Sequence, residues 1–139
     1  MTKEKATHPL SRVTRGKAKF VDDDRGSLGV IEIAQQAPFV PIRMFWISGV
    51  AAGTVRGGHA HRACNQFFIC LRGQIKIDAI DGTHSETFML ERGDFLSVVH
   101  GIYATETFLD EGSVLAVLCD RPYEPEDYIY ERDLFVPRN

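Results

Sequence analysis

A chain of 139 residues, 44% hydrophobic and 25% charged, has the length and balance of one globular domain around a single core. Lys plus Arg at 16 against Asp plus Glu at 19 leaves a net charge of -3, with no basic stripe to follow a nucleic-acid backbone. The three cysteines, Cys64, Cys70 and Cys119, form no Cys-x-x-Cys pair, which argues against a disulfide framework and against a zinc cluster. The N-terminus leads into no apolar run of signal-peptide type, and no stretch approaches bilayer length. A cytoplasmic protein without membrane or nucleic-acid partners is expected.

In chain order, residues 1–15 are polar and basic without periodicity and read as a mobile start, leaving 16–139 as the domain. A strand is expected at 17–21. The acidic run Asp22-Asp23-Asp24-Arg25-Gly26 makes a turn, because clustered carboxylates are poor strand formers and glycine frees φ. The next strand is expected at 27–33, and Pro38 and Pro41 mark an irregular link after it. Residues 43–48 carry bulky apolar side chains on both faces and are expected to be largely buried. Small residues at 49–53 then lead into Thr54-Val55-Arg56-Gly57-Gly58-His59-Ala60-His61-Arg62 and an apolar strand at 66–71.

Residues 75–80 alternate apolar and polar, as a half-buried strand does. Asp81-Gly82 is a hairpin signal with its partner strand at 85–90. Further strands are expected at 96–99 and 113–119. From Arg121 the chain turns acidic and proline-rich, and 128–135 reads as a short closing helix or an extended arm. No long stretch has 3.6-residue periodicity. Many short strands punctuated by turns indicate an all-β sandwich or barrel.

His59 and His61 carry the chemistry. Strand side chains alternate, so two imidazoles one residue apart project from the same face. Imidazole can both take and give a proton near neutrality. The spacing from Gly53 through His59, His61 and Gln66 to Gly73 is G-x5-H-x-H-x4-Q-x6-G, which resembles the first motif of the cupin superfamily with Gln66 in place of Glu. A second, degenerate motif starts at Gly93: Gly101 matches, whereas Val99, Ala104 and Phe108 replace the Pro, His and Asn. Cupin spacing selects a double-sheet jelly roll among the β architectures. Two His, one amide and one methyl group make a broken ligand set, so neither a metal nor another cofactor is expected.

Gln66 could serve a histidine or a substrate hydroxyl, or simply be a core-facing amide. Arg25, Arg43 and Arg56 each lie near a strand end, where a guanidinium fork could grip a diphosphate. His100 sits in the degenerate second motif. Tyr123, Tyr128 and Tyr130 could form an aromatic wall or pack a closing segment.

Three pieces together, Arg25-Gly26-Ser27-Leu28, Arg56-Gly57-Gly58-His59-Ala60-His61-Arg62 and Pro122-Tyr123-Glu124-Pro125-Glu126-Asp127-Tyr128-Ile129, resemble the nucleotide-sugar 3,4-ketoisomerases of FdtA-like or WxcM-like type. The likeness runs from about residue 17 to 135. It implies a metal-free jelly-roll homodimer, with N-terminal strands often exchanged, acting on dTDP-4-keto-6-deoxyglucose for deoxyamino sugars of glycans or antibiotics. It also implies that His59 abstracts the C3 proton and that His61 shuttles a proton between the C3 and C4 oxygens. One departure stands out. The family's P-x-x-x-W-H is here His100-Gly101-Ile102-Tyr103-Ala104, so Tyr103 stands for the Trp and the His is lost, with His100 a candidate substitute. A sugar 3- or 3,5-epimerase and a non-catalytic sugar-nucleotide-binding cupin are the competing readings, and a metal-dependent cupin oxygenase comes last.

Overall fold

The computed structural model describes Leu10 and residues 12–138. Twelve strands account for most of them: β1 Arg15–Lys17, β2 Lys19–Asp23, β3 Gly26–Val30, β4 Arg43–Ile47, β5 Thr54–His61, β6 Gln66–Arg72, β7 Gln74–Ile80, β8 Ser85–Glu91, β9 Asp94–Val98, β10 Tyr103–Phe108, β11 Val114–Cys119 and β12 Tyr128–Ile129. One short helix, α1, spans Ile33–Gln36, and single 3-10 turns occupy Pro125–Asp127 and Arg132–Leu134.

The strands form two five-stranded antiparallel sheets, ordered β1-β9-β6-β11-β4 and β12-β5-β10-β7-β8, with β2 and β3 as a separate hairpin. This is the expected all-β jelly roll, a single domain whose two sheets face each other. Alternation sets what fills the space between them. Ile75, Ile77 and Ala79 of β7 point inward and are buried, as are Phe88 and Leu90 of β8 and Phe68 and Cys70 of β6. Phe108, Leu115 and Val117 complete that core from β10 and β11. Truncating so deeply buried an aromatic as Phe108 costs about 3–5 kcal/mol.

β6 is buried on both faces. Its other side, Phe67 and Ile69, packs with Phe95 and Ala116 beneath Ile31, Ile33 and Phe39. The strand expected at 27–33 therefore stops at Val30, because the chain must turn into α1 to roof this second cluster. Residues 43–48 are also corrected. Phe45 and Ile47 pack on the core, but Met44 and Trp46 are 52% and 62% exposed, so β4 is a half-exposed edge strand. β10 was not expected as a strand at all; threonines and a glutamate between its apolar residues mask its alternation. Of the expected mobile start, residues 1–9 and 11 lie outside the described residues. Leu10 is buried in the main core, and the Thr14 amide donates to Ser97 Oγ at 2.6 Å, so the domain's contacts reach back to these positions.

Candidate active site

The site forms where β5, β10 and the closing segment meet. β10 pairs with β5, setting Ala104 opposite His59, and a bulge follows that brings Thr105 opposite Gly57. The bulge requires an unusual backbone: Gly57 and Gly58 have φ of 82° and 78°, which only glycine adopts without strain. A Cβ on Gly57 would collide with the carboxyl group of Glu106, with Cδ at 2.8 Å. The two glycines ahead of His59 thus aim the histidine strand and make room for a carboxylate.

A cavity of about 260 Å³ opens here between the sheets. His59, Arg56 and Glu106 line it from β5 and β10, Gln66 and Phe68 from β6, and Tyr123 and Tyr128 from the closing segment. The aromatic wall is real. Tyr128 lies 4.6 Å from the His59 ring and 4.5 Å from the His61 ring, and Tyr130 stacks on Tyr128 at 6.0 Å. The segment reaches this position because β12 adds to the edge of β5, pairing Tyr128 with His61 and Ile129 with Ala60.

The two histidines meet edge to face at 5.0 Å but have different surroundings. His61 is 5% exposed, and its Nδ1–H donates to Asp127 Oδ2 at 2.8 Å. Asp127 is itself fixed by the amides of Ala63 (2.8 Å) and Cys64 (3.3 Å). Burial alone would raise the Asp127 carboxyl, yet these hydrogen bonds hold it below the ordinary carboxylate range. With Nδ1 protonated, Nε2 of His61 is an acceptor; it is buried and has no partner among the described residues. Burial keeps His61 below the ordinary imidazole pKa despite Asp127, with the Arg43 charge adding to the effect. For His59, burial and then the neighbouring His61 push the pKa down to about 4, so it is neutral around pH 7.

The other expected residues divide. Gln66 is buried on the cavity wall, its Nε2 directed at Cys119 Sγ at 3.6 Å, and Arg56 stands at the rim. Arg43 donates from Nε to the Arg121 carbonyl at 3.0 Å, which steadies the start of the closing segment. Arg25 is not brought in: it tips the β2–β3 hairpin, exposed and paired with Asp23 at 2.7 Å. Nor is His100, which is exposed and lines a separate depression with Arg12 and Asn65. Tyr103 faces the outside of its sheet, packed with Ala60 and Phe135, because strand alternation sends it opposite to Ala104. Sequence reasoning assigned no role to Asp127 or Glu106. Asp127 lay within the quoted closing motif, whereas Glu106 could be found only by recognising β10 and its inward face.

The cupin ligand positions do not fit a metal. Ala104, directly across from His59, offers no donor atom, and Gln66 is neutral. Among the described residues, His61, Cys64 and Asp127 have candidate ligand atoms within 4.8 Å of one another, but that arrangement is the hydrogen-bonded histidine–aspartate pair already described.

Comparison with known proteins agrees with this geometry. Residues 12–138 match the FdtA family model, described as WxcM-like, C-terminal. The chain belongs to this family. A relative of this FdtA-family chain, the TDP-4-oxo-6-deoxy-alpha-D-glucose-3,4-oxoisomerase of Aneurinibacillus thermoaerophilus, is 30% identical over 123 residues, covering 84% of this chain and 85% of the relative. A variant of the 3,4-ketoisomerase QdtA of Thermoanaerobacterium thermosaccharolyticum, solved with TDP-4-keto-6-deoxyglucose, superposes with a TM-score of 0.81 at 29% identity, over 92% of this chain and 94% of that one. A 3,4-ketoisomerase of Helicobacter canadensis gives 0.80 at 26% identity, over 90% and 95%.

Proposed function

We propose that this FdtA-family chain is a 3,4-ketoisomerase of a dTDP-4-keto-6-deoxyhexose, working without metal or organic cofactor. The observation that carries the reading is the pair of neutral imidazoles on one strand face, one lining the cavity and the other held in a single tautomer by Asp127. A ketone at C4 acidifies the C3–H bond. His59, neutral and lining the cavity, removes that proton to give an enediol. His61, with the unpartnered Nε2 as its acceptor, moves a proton from the C3 oxygen to the C4 oxygen, and protonation at C4 leaves the ketone at C3. No hydride leaves the sugar, so no redox partner is needed.

Arg56, at the cavity rim, would pair with the diphosphate, and Arg43, tied to the Arg121 carbonyl, would support it. The apolar side chains exposed on β4, Met44 and Trp46, together with Val21 and Leu28 of the β2–β3 hairpin, support a homodimer in which the N-terminal strands take part. Arg25, at the tip of that hairpin and away from its own cavity, would then bind substrate only in a partner's site. A nucleotide-activated sugar substrate fits a cytoplasmic enzyme of deoxysugar biosynthesis.

The test is to incubate the purified protein with dTDP-4-keto-6-deoxyglucose in D2O and follow carbonyl position by NMR. Migration from C4 to C3 is expected, with deuterium at the exchanged carbons. Inversion without carbonyl migration would establish an epimerase instead, and binding without exchange would establish the non-catalytic cupin.

A further inference from the structure

Glu106 is a buried carboxyl group that the reaction as described does not use. It is 6% exposed and projects from β10 into the cavity beside Arg56 and His59. A carboxyl group so largely buried is costly to keep ionised, so at the wall of a cavity it favours the neutral form or a partner bound there. Its seat is shaped for it: any side chain at Gly57 would strike its carboxyl group. The charged or titratable groups facing it are Arg56 and His59 from β5 and Tyr123 and Tyr128 from the closing segment, while β4, β6 and β11 present only uncharged side chains.

The chemistry lacks one component that Glu106 can provide. Removing the C3 proton drives charge onto the C4 oxygen, and that oxygen needs a donor. His61 has its Nδ1 proton committed to Asp127, and Ala104, opposite His59, has nothing to donate. We propose, resting on the ketoisomerase reading above, that Glu106 is a neutral carboxylic acid whose O–H donates to the substrate's C4 oxygen as the enediol forms. Low polarity favours that protonation state. Burial raises the Glu106 pKa to about 7 against the pull of Arg56, and a bound sugar that excludes water raises it further.

Two substitutions and a pH profile test this. Glu106→Ala removes the donor, so C3 exchange and carbonyl migration should fall together, by roughly 10²–10³-fold. Glu106→Gln keeps an N–H donor but cannot ionise. It should retain far more activity than Glu106→Ala and lose the decline in kcat/KM that the parent shows above pH 7. TDP affinity and thermal midpoint should match the parent for Glu106→Gln, which separates a donor role from a structural one. Near-parental turnover by Glu106→Ala, or an unchanged alkaline decline in Glu106→Gln, overturns the inference while leaving the ketoisomerase reading intact. A parent protein that neither exchanges the C3 proton nor moves the carbonyl overturns both.

Discussion

His59 and His61 share a strand, a face and a residue type, yet the protein makes different reagents of them. His59 lines the cavity and is neutral around pH 7. His61 lies behind it, nearly sealed, with one nitrogen bound to a carboxylate that two backbone amides hold in place. The lesson is that sequence spacing brings two imidazoles together, whereas the elements packed around them assign their work. β10 and the glycine bulge shape the surroundings of His59. The closing segment does the same for His61.

The largest effect that would sharpen this contrast comes from His59→Asn. If His59 is the carbon base, C3 exchange in D2O and isomerisation both fall, by about 10²–10⁴-fold. His61→Asn should instead halt carbonyl migration while C3 exchange continues; equal loss of both would erase the distinction. Asp127→Asn comes next. An amide at this position can present N–H rather than an acceptor to Nδ1, which favours the wrong tautomer. Migration should drop by about 10²-fold, the lower end of the range for a general acid–base group, with nucleotide affinity unchanged by calorimetry.

The acid limb of the pH profile separates the two histidines further. His59 loses its lone pair as pH falls through about 4, so C3 exchange should hold from neutrality down to about pH 5 and then collapse. An exchange profile that bends near 6.5 would mean the pocket does not depress His59. A smaller effect is expected at the rim. Losing one charge-assisted contact of about 1.5–3 kcal/mol, Arg56→Ala should raise KM by roughly ten- to a hundredfold and leave kcat within a few-fold.

Much of this design was readable beforehand. The hairpin at Asp81-Gly82, the alternation of 75–80 and the His-x-His motif are local signals, and the corresponding elements appear within a residue or two. Misreadings arose where tertiary context decides. Met44 and Trp46 looked like core because hydrophobicity does not reveal that β4 is an edge. Tyr103 looked like a site residue because the second motif fixes position along the chain. Without β10 as a strand, nothing said that Ala104 faces in and Tyr103 out. His100 failed for a related reason: it sits in the turn before β10, where it is exposed. Glu106 was invisible for want of that same strand.

The way the closing segment is attached has a consequence for control of the enzyme. β12 joins β5 through two residue pairs, and the rest of the segment is held by the hydrogen bonds of Asp127 and by Phe135 packed on Ala60 and Tyr103, yet it carries both Asp127 and Tyr128. Elements with few ladder bonds open at far lower free-energy cost than the sheets they border. Each brief detachment would strip His61 of its orienting partner and remove one wall of the cavity, while both sheets stay folded. Catalytic competence in this fold is therefore less durable than the fold itself: warming or mild denaturant should silence the enzyme before the jelly roll melts.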